Sequence, residues 1–113
     1  MKKNIAIPTD EKGILDAHFG HCAFFELFTI ENNEITESVK HTPPPHEPGL
    51  LPKWLGEKGI HDIIAGGMGQ RAIDLFNERG INVYLGAPKT NAKEIVEGFL
   101  QGTLSFKGNL CDH

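Results

Sequence analysis

The spacing of apolar residues along this chain predicts an α/β fold: a five-stranded mixed sheet in the order β-β-β-α-β-α-β-α, with helices on both faces. Two observations carry the prediction. The first forty residues hold three strand-like runs separated by a loop and a tight turn, and past residue 50 helical runs alternate with short apolar runs. Consecutive strands joined by a tight turn pair antiparallel, whereas strands separated by helices return parallel, so the order demands a sheet with one side of each kind.

Asn4-Ile5-Ala6-Ile7 is a short apolar run closed by Pro8, read as a central strand. Thr9 to Ala17 is polar, contains Gly13, and reads as loop. Ala23 to Ile30 is rich in aromatic and branched residues on both alternating faces and gives a second strand. Asn32 and Asn33 tolerate the positive φ of a tight hairpin, and Ile35 to Lys40 follows as a polar edge strand whose charges blunt unwanted pairing. The proline run between His41 and Gly49 reads as a stiff connector.

A first helix is expected over about Leu50 to Lys58, with Leu51, Trp54 and Leu55 on one face and Gly59 as its stop. Ile60 to Ala65 is a buried-type strand, turned by Gly66-Gly67-Met68-Gly69 into a helix from about Gln70 to Arg79 with Ala72, Ile73 and Phe76 inward. Ile81 to Leu85 is the fifth strand. Thr90 or Asn91 caps a last helix that buries Ala92, Ile95, Val96 and Phe99. Residues 1–113 form a single domain, and 102–113 read as a flexible tail without periodicity.

Composition narrows the function classes. A chain of 113 residues is long enough for a core without disulfide staples. Its net charge of −4 argues against a nucleic-acid platform, which needs a basic surface. No apolar run spans a membrane and no signal-peptide core opens the chain, so a cytoplasmic location is expected. In a reducing compartment Cys22 and Cys111 are free thiols or metal ligands rather than a disulfide.

The densest chemistry lies in Ala17-His18-Phe19-Gly20-His21-Cys22, two imidazoles and a thiol within five residues. These soft and borderline donors suit iron–sulfur units, copper or zinc. They cannot close a four-coordinate site alone, so a second loop or a second chain, as in a homodimer, must contribute. Cys111 and His113 are the candidates for closing it, and His41 and His46 flank the prolines as either further donors or solvated side chains. His61, at a strand start, reads as structural.

Gly67-Met68-Gly69-Gln70-Arg71-Ala72 formally matches the dinucleotide fingerprint G-x-G-x-x-A. The acidic residue that should end the next strand is missing, since that strand closes as Tyr84-Leu85-Gly86-Ala87. The nucleotide reading fails, but the chemistry of free amides survives. Gly66, Gly67 and Gly69 before a helix N-terminus, with Arg71, make a seat for an anion such as a metal–sulfur cluster or an oxyanion. No oxyanion hole or orienting third group supports Cys22 as a catalytic nucleophile.

With these residues assembled, the chain resembles the dinitrogenase iron–molybdenum cofactor biosynthesis family over nearly its whole length. The resemblance rests on Ile5-Ala6-Ile7-Pro8, His18-Phe19-Gly20, the Ala65-to-Ala72 turn and Gly80-Ile81-Asn82-Val83-Tyr84. It implies a small ribonuclease-H-like, three-layer protein, and the lack of a convincing catalytic constellation makes a non-enzymatic one the expectation. Such a protein would bind, carry or deliver an iron–sulfur or iron–molybdenum cluster, or its precursor, between donor and acceptor proteins. Many members have a basic residue after the motif where this chain has His21-Cys22, which enriches the loop in ligands. The alternative is a module that binds or senses a single Zn or Cu ion with the same loop. A nuclease is disfavoured, because the first strand carries no carboxylate for two-metal chemistry.

Overall fold

The computed structural model describes residues 2–16, 19, 22–44 and 50–103. The elements are β1 (Lys2–Thr9), β2 (Phe24–Glu31), β3 (Glu34–His41), α1 (Leu50–Glu57), β4 (Asp62–Ile64), α2 (Gln70–Glu78), β5 (Asn82–Tyr84) and α3 (Ala92–Gln101). They build one five-stranded sheet in the order β3-β2-β1-β4-β5. The β1–β2 and β2–β3 pairs are antiparallel, while β1–β4 and β4–β5 are parallel. This is the mixed sheet that the element order demands.

Two apolar clusters explain how the helices cover it. Leu51 and Leu55 of α1 and Ile73 and Phe76 of α2 pack with Ala6, Phe25, Ile63 and Val83. Ala92, Ile95 and Val96 of α3 pack with Ile5, Ile7, Phe28 and Ile64. Adjacent strand residues point to opposite faces, so Ala6 against Ile5 and Ile63 against Ile64 place α1 and α2 on one side and α3 on the other.

The hairpin turn is as the sequence suggests, with φ of 53° at Asn32 and 64° at Asn33. Asn91 is the N-cap of α3, its side chain accepting from the Glu94 amide, while the Thr90 hydroxyl donates to the Glu94 carboxylate. The fully buried Asp62 is held by Lys3 at 2.8 Å and by the Asn82 amide at 3.1 Å.

Pro8 corrects the expected end of β1. The strand runs through it to Thr9, and Pro8 sits opposite Phe25. One residue's N and O point to the same strand side, and the Pro8 oxygen accepts from the Asp16 amide. The missing N–H therefore faces this loop, and no bond to β2 is lost. The stretch beyond is also more ordered than a plain loop: Thr9 bridges Leu15, Ile14 bridges Asn91, and the Asp10 carboxylate accepts from the amides of Lys12 and Ile14. His61 precedes β4 rather than opening it, and its Nδ1 accepts from the Asn4 amide.

Candidate functional site

The topology gathers the connecting loops along one edge of the sheet. β1, β4 and β5 are mutually parallel, and β3 points the same way because it is antiparallel to β2. The segments after Thr9, His41, Ile64 and Tyr84 therefore all leave from the same edge. Backbone bonds stitch three of them together. Leu15 donates to the Thr90 carbonyl, Gly86 donates to Gly66, and Ala87 donates to Ala65.

Phe19 fixes the histidine-bearing loop to this edge. Its ring is 9% exposed and stands edge-on to Phe25 (centroids 5.4 Å apart) and to Phe76 (5.6 Å). Phe76 belongs to α2, so the loop is wedged against the helix that the glycine turn begins. Cys22 is 7% exposed and shares a cluster with Phe19, Ala65 and Phe76, against which Met68 of the turn also packs. Burial pushes its thiol up to about 12, with the nearby Asp16 carboxylate adding to the rise. Cys22 is thus a protonated, buried anchor at ordinary pH in the protein alone. A metal would have to displace that proton.

His18 and His21, like His46, Cys111 and His113, lie outside the described residues. Among the described residues, no three His, Cys, Asp or Glu side chains converge as a metal cage. His41 packs edge-on against Trp54 of α1, 6.2 Å between centroids, and Trp54 in turn packs on the cluster that holds Cys22. Burial and the nearby Lys58 cation lower the His41 pKa.

The turn Gly66-Gly67-Met68-Gly69 shows an unexpected permissiveness. Neither Gly66, Gly67 nor Gly69 has a positive φ. A Cβ at Gly67 or Gly69 would meet nothing within 4 Å, and one at Gly66 would make ordinary contacts with Leu15 at 3.5 Å and the Ala87 carbonyl at 4.0 Å. Gly69 is the N-cap of α2, extended at φ −69° and ψ 151°, with no side chain capping the helix. The first amides of a helix lack intrahelical partners, and here no cap side chain covers them. Arg71, in the first turn, is exposed.

The profile of the dinitrogenase iron–molybdenum cofactor family matches residues 1–102. The chain belongs to this family. An uncharacterised protein of Methanocaldococcus jannaschii is 33% identical over 105 residues, covering 88% of this chain and 87% of that one. The crystal structure of a protein designated PH0822 superposes with a TM-score of 0.82 at 28% identity, over 92% of this chain and 96% of that one. The apo form of the orange protein from Desulfovibrio gigas shares the fold, with a TM-score of 0.78 at 19% identity over 93% and 92% of the two chains. The family match ends before Cys111 and His113.

Sequence reasoning quoted Phe19 only as part of a motif and did not see it as the anchor. An aromatic between two histidines in a polar loop was the available signal. Loop 85–91, which clasps the glycine turn, was also missed; the glycine at position 86, two residues past β5, was the available signal, and the structure gives it a φ of +89°.

Proposed function

We propose that this member of the dinitrogenase iron–molybdenum cofactor family binds and passes on an iron–sulfur or iron–molybdenum-type cluster, or its precursor, as cargo. The observation that carries this reading is the glycine turn. Neither backbone conformation nor packing asks for glycine at Gly67 and Gly69, and Asp or Ser at Gly69 would cap α2 better. What glycine supplies there is bare amide N–H groups at a helix N-terminus, beside the Arg71 cation. Sulfide-bridged clusters and metal oxyanions are negatively charged and suit such a seat.

His18 and His21 flank Phe19, which is wedged against α2, so they are the proposed side-chain donors at this seat. Cys22 joins them only where the cargo displaces its proton. Cys111 and His113 are proposed as closing donors, reaching the site along the sheet or from a second copy. Cargo exchange with donor and acceptor proteins requires only exchange of metal ligands, and the shielded Cys22 thiol is not poised as a nucleophile, in keeping with a non-enzymatic role. The seat is fitted to an inorganic anion rather than to nucleic acid, in keeping with the net charge of −4.

The test is anaerobic reconstitution with ferrous iron and sulfide, with and without molybdate, followed by metal and sulfide analysis and an absorption spectrum. Charge-transfer bands that disappear in both a His18→Ala/His21→Ala variant and a Gly69→Asp variant support the reading. Zn²⁺ or Cu held without sulfide would replace it with single-ion binding, and cargo held equally well by both variants would remove the site from this edge.

A further inference from the structure

β3 is the outer strand of the sheet on one side, so its outward N–H and C=O groups meet no further strand among the described residues. Such an edge is a template for another strand. Val39, near its middle, is 42% exposed and is the exposed large hydrophobic residue among those described. It centres the stretch Glu37–His41, which pairs with β2 without interruption from Thr29↔Glu37 to Phe25↔His41. The register irregularity lies outside that stretch, between Thr29 and Ile30.

Glu37, Val39 and His41 alternate onto one face of β3 and line a groove of about 510 Å³ that Lys58 also lines. Charge is divided along the strand: Glu37 lies toward the hairpin, while His41, with Lys58 near it, lies toward the loop edge.

We propose that β3 pairs antiparallel with β3 of a second copy across a twofold axis at Val39, joining two sheets into one. Val39 then faces its own counterpart, which covers the exposed side chain from both sides. Glu37 faces the partner's His41, and Ser38 faces the partner's Lys40, each pair occurring twice because the interface is isologous. The alternatives are poorer. An axis on Glu37 or on Lys40 sets like charges face to face, and an axis on Ser38 sets Glu37 against an apolar Val39. Like charges directly across an antiparallel pair destabilise it; in the Val39 register Glu37 instead meets the partner's His41, near which the Lys58 cation lies. Five paired residues on each chain make a small interface, so the dimer is a weak one. This pairing is independent of the cargo reading, and each can fail without the other.

Sedimentation equilibrium of the whole chain, from micromolar up to about 0.5 mM, should show a reversible monomer–dimer equilibrium, as expected for an interface of this size. Val39→Lys should weaken it at least about tenfold, because two cations then meet on the axis. The side chain is exposed, so an unchanged circular dichroism spectrum will show that the fold is retained. Glu37→Lys should weaken it as well, and adding His41→Glu should restore it. In a Cys111→Ser background, Val39→Cys should form a disulfide-linked dimer faster than Lys40→Cys, since only position 39 faces itself. A chain that stays monomeric at the highest concentration, a dimer indifferent to Val39→Lys, or equally fast cross-linking at position 40 would overturn the proposal.

Discussion

The ring of Phe19 stands edge-on to that of Phe76, 5.6 Å between centroids at an interplanar angle of 86°. One ring comes from the histidine-bearing loop and the other from the C-terminal half of α2, the helix that follows the glycine turn. The contact fixes two otherwise independent segments relative to each other. Phe19→Ala should therefore cost about 3–5 kcal/mol of stability in urea unfolding, the usual range for removing a buried phenylalanine. Phe19→Leu, which keeps most of the volume, should cost well under half of that, yet still reduce cargo retention because the edge-to-face geometry is lost.

Gly69→Asp should separate stability from function. Its backbone is already in the extended N-cap conformation and a Cβ there meets nothing. A carboxylate that caps α2 and faces the helix dipole should add about 1 kcal/mol to stability. The same charge should repel an anionic cargo, so a higher melting temperature with lost cargo binding is expected. Gly66→Ala, which makes ordinary contacts with Leu15 and the Ala87 carbonyl, should leave both nearly unchanged.

Cys22 should be chemically quiet in the protein alone. In a Cys111→Ser background it is the sole thiol, and at pH 8 a thiol-specific reagent should modify it only slowly until denaturant is added. Fast modification of the folded protein would show that the β1–β2 loop opens readily.

Glu26 gives a pH signature far from the site. Burial raises its pKa, and Lys40 opposes part of that rise. A carboxyl group whose folded pKa exceeds its unfolded value contributes stability below the unfolded pKa and loses it as pH rises through the folded one. Glu26→Gln should then raise the melting temperature at pH 7 and leave it almost unchanged near pH 3, where wild-type Glu26 is protonated in both states. Glu26 is only partly buried, so solvent screens the charge and the effect will be small.

The sequence carried the architecture because period and punctuation agree in it. Asn32-Asn33 named its own turn, and the helices that begin at Gln70 and Ala92 follow the spacing of Ile73 and Phe76 and of Ile95 and Val96. Pro8 misled because its tolerance depends on which side of the strand the missing N–H faces, and only the partner strands decide that. The glycine turn was legible as a motif, but not the fact that its glycines are unforced. That needed the neighbouring atoms. Cys22 reads equally well as ligand or as core from sequence, and its burial among Phe19, Ala65 and Phe76 depends on long-range packing that local spacing does not encode.

The last helix has a bearing on how tightly any cargo is held. α3 starts beside Ile14 at the loop edge and ends with the Leu100 carbonyl accepting from Asn33 in the hairpin, at the other end of the sheet. From Thr103 to Cys111 the backbone spans at most about 28 Å, close to the length of an eight-residue strand at about 26 Å. If the tail closes the proposed site of its own chain, it must run nearly straight and keeps few conformations, and that entropy loss would loosen the grip. On the proposed cargo reading, such a hold would favour turnover over storage: the inorganic load would be kept long enough to be moved and would yield to a better-organised receiver.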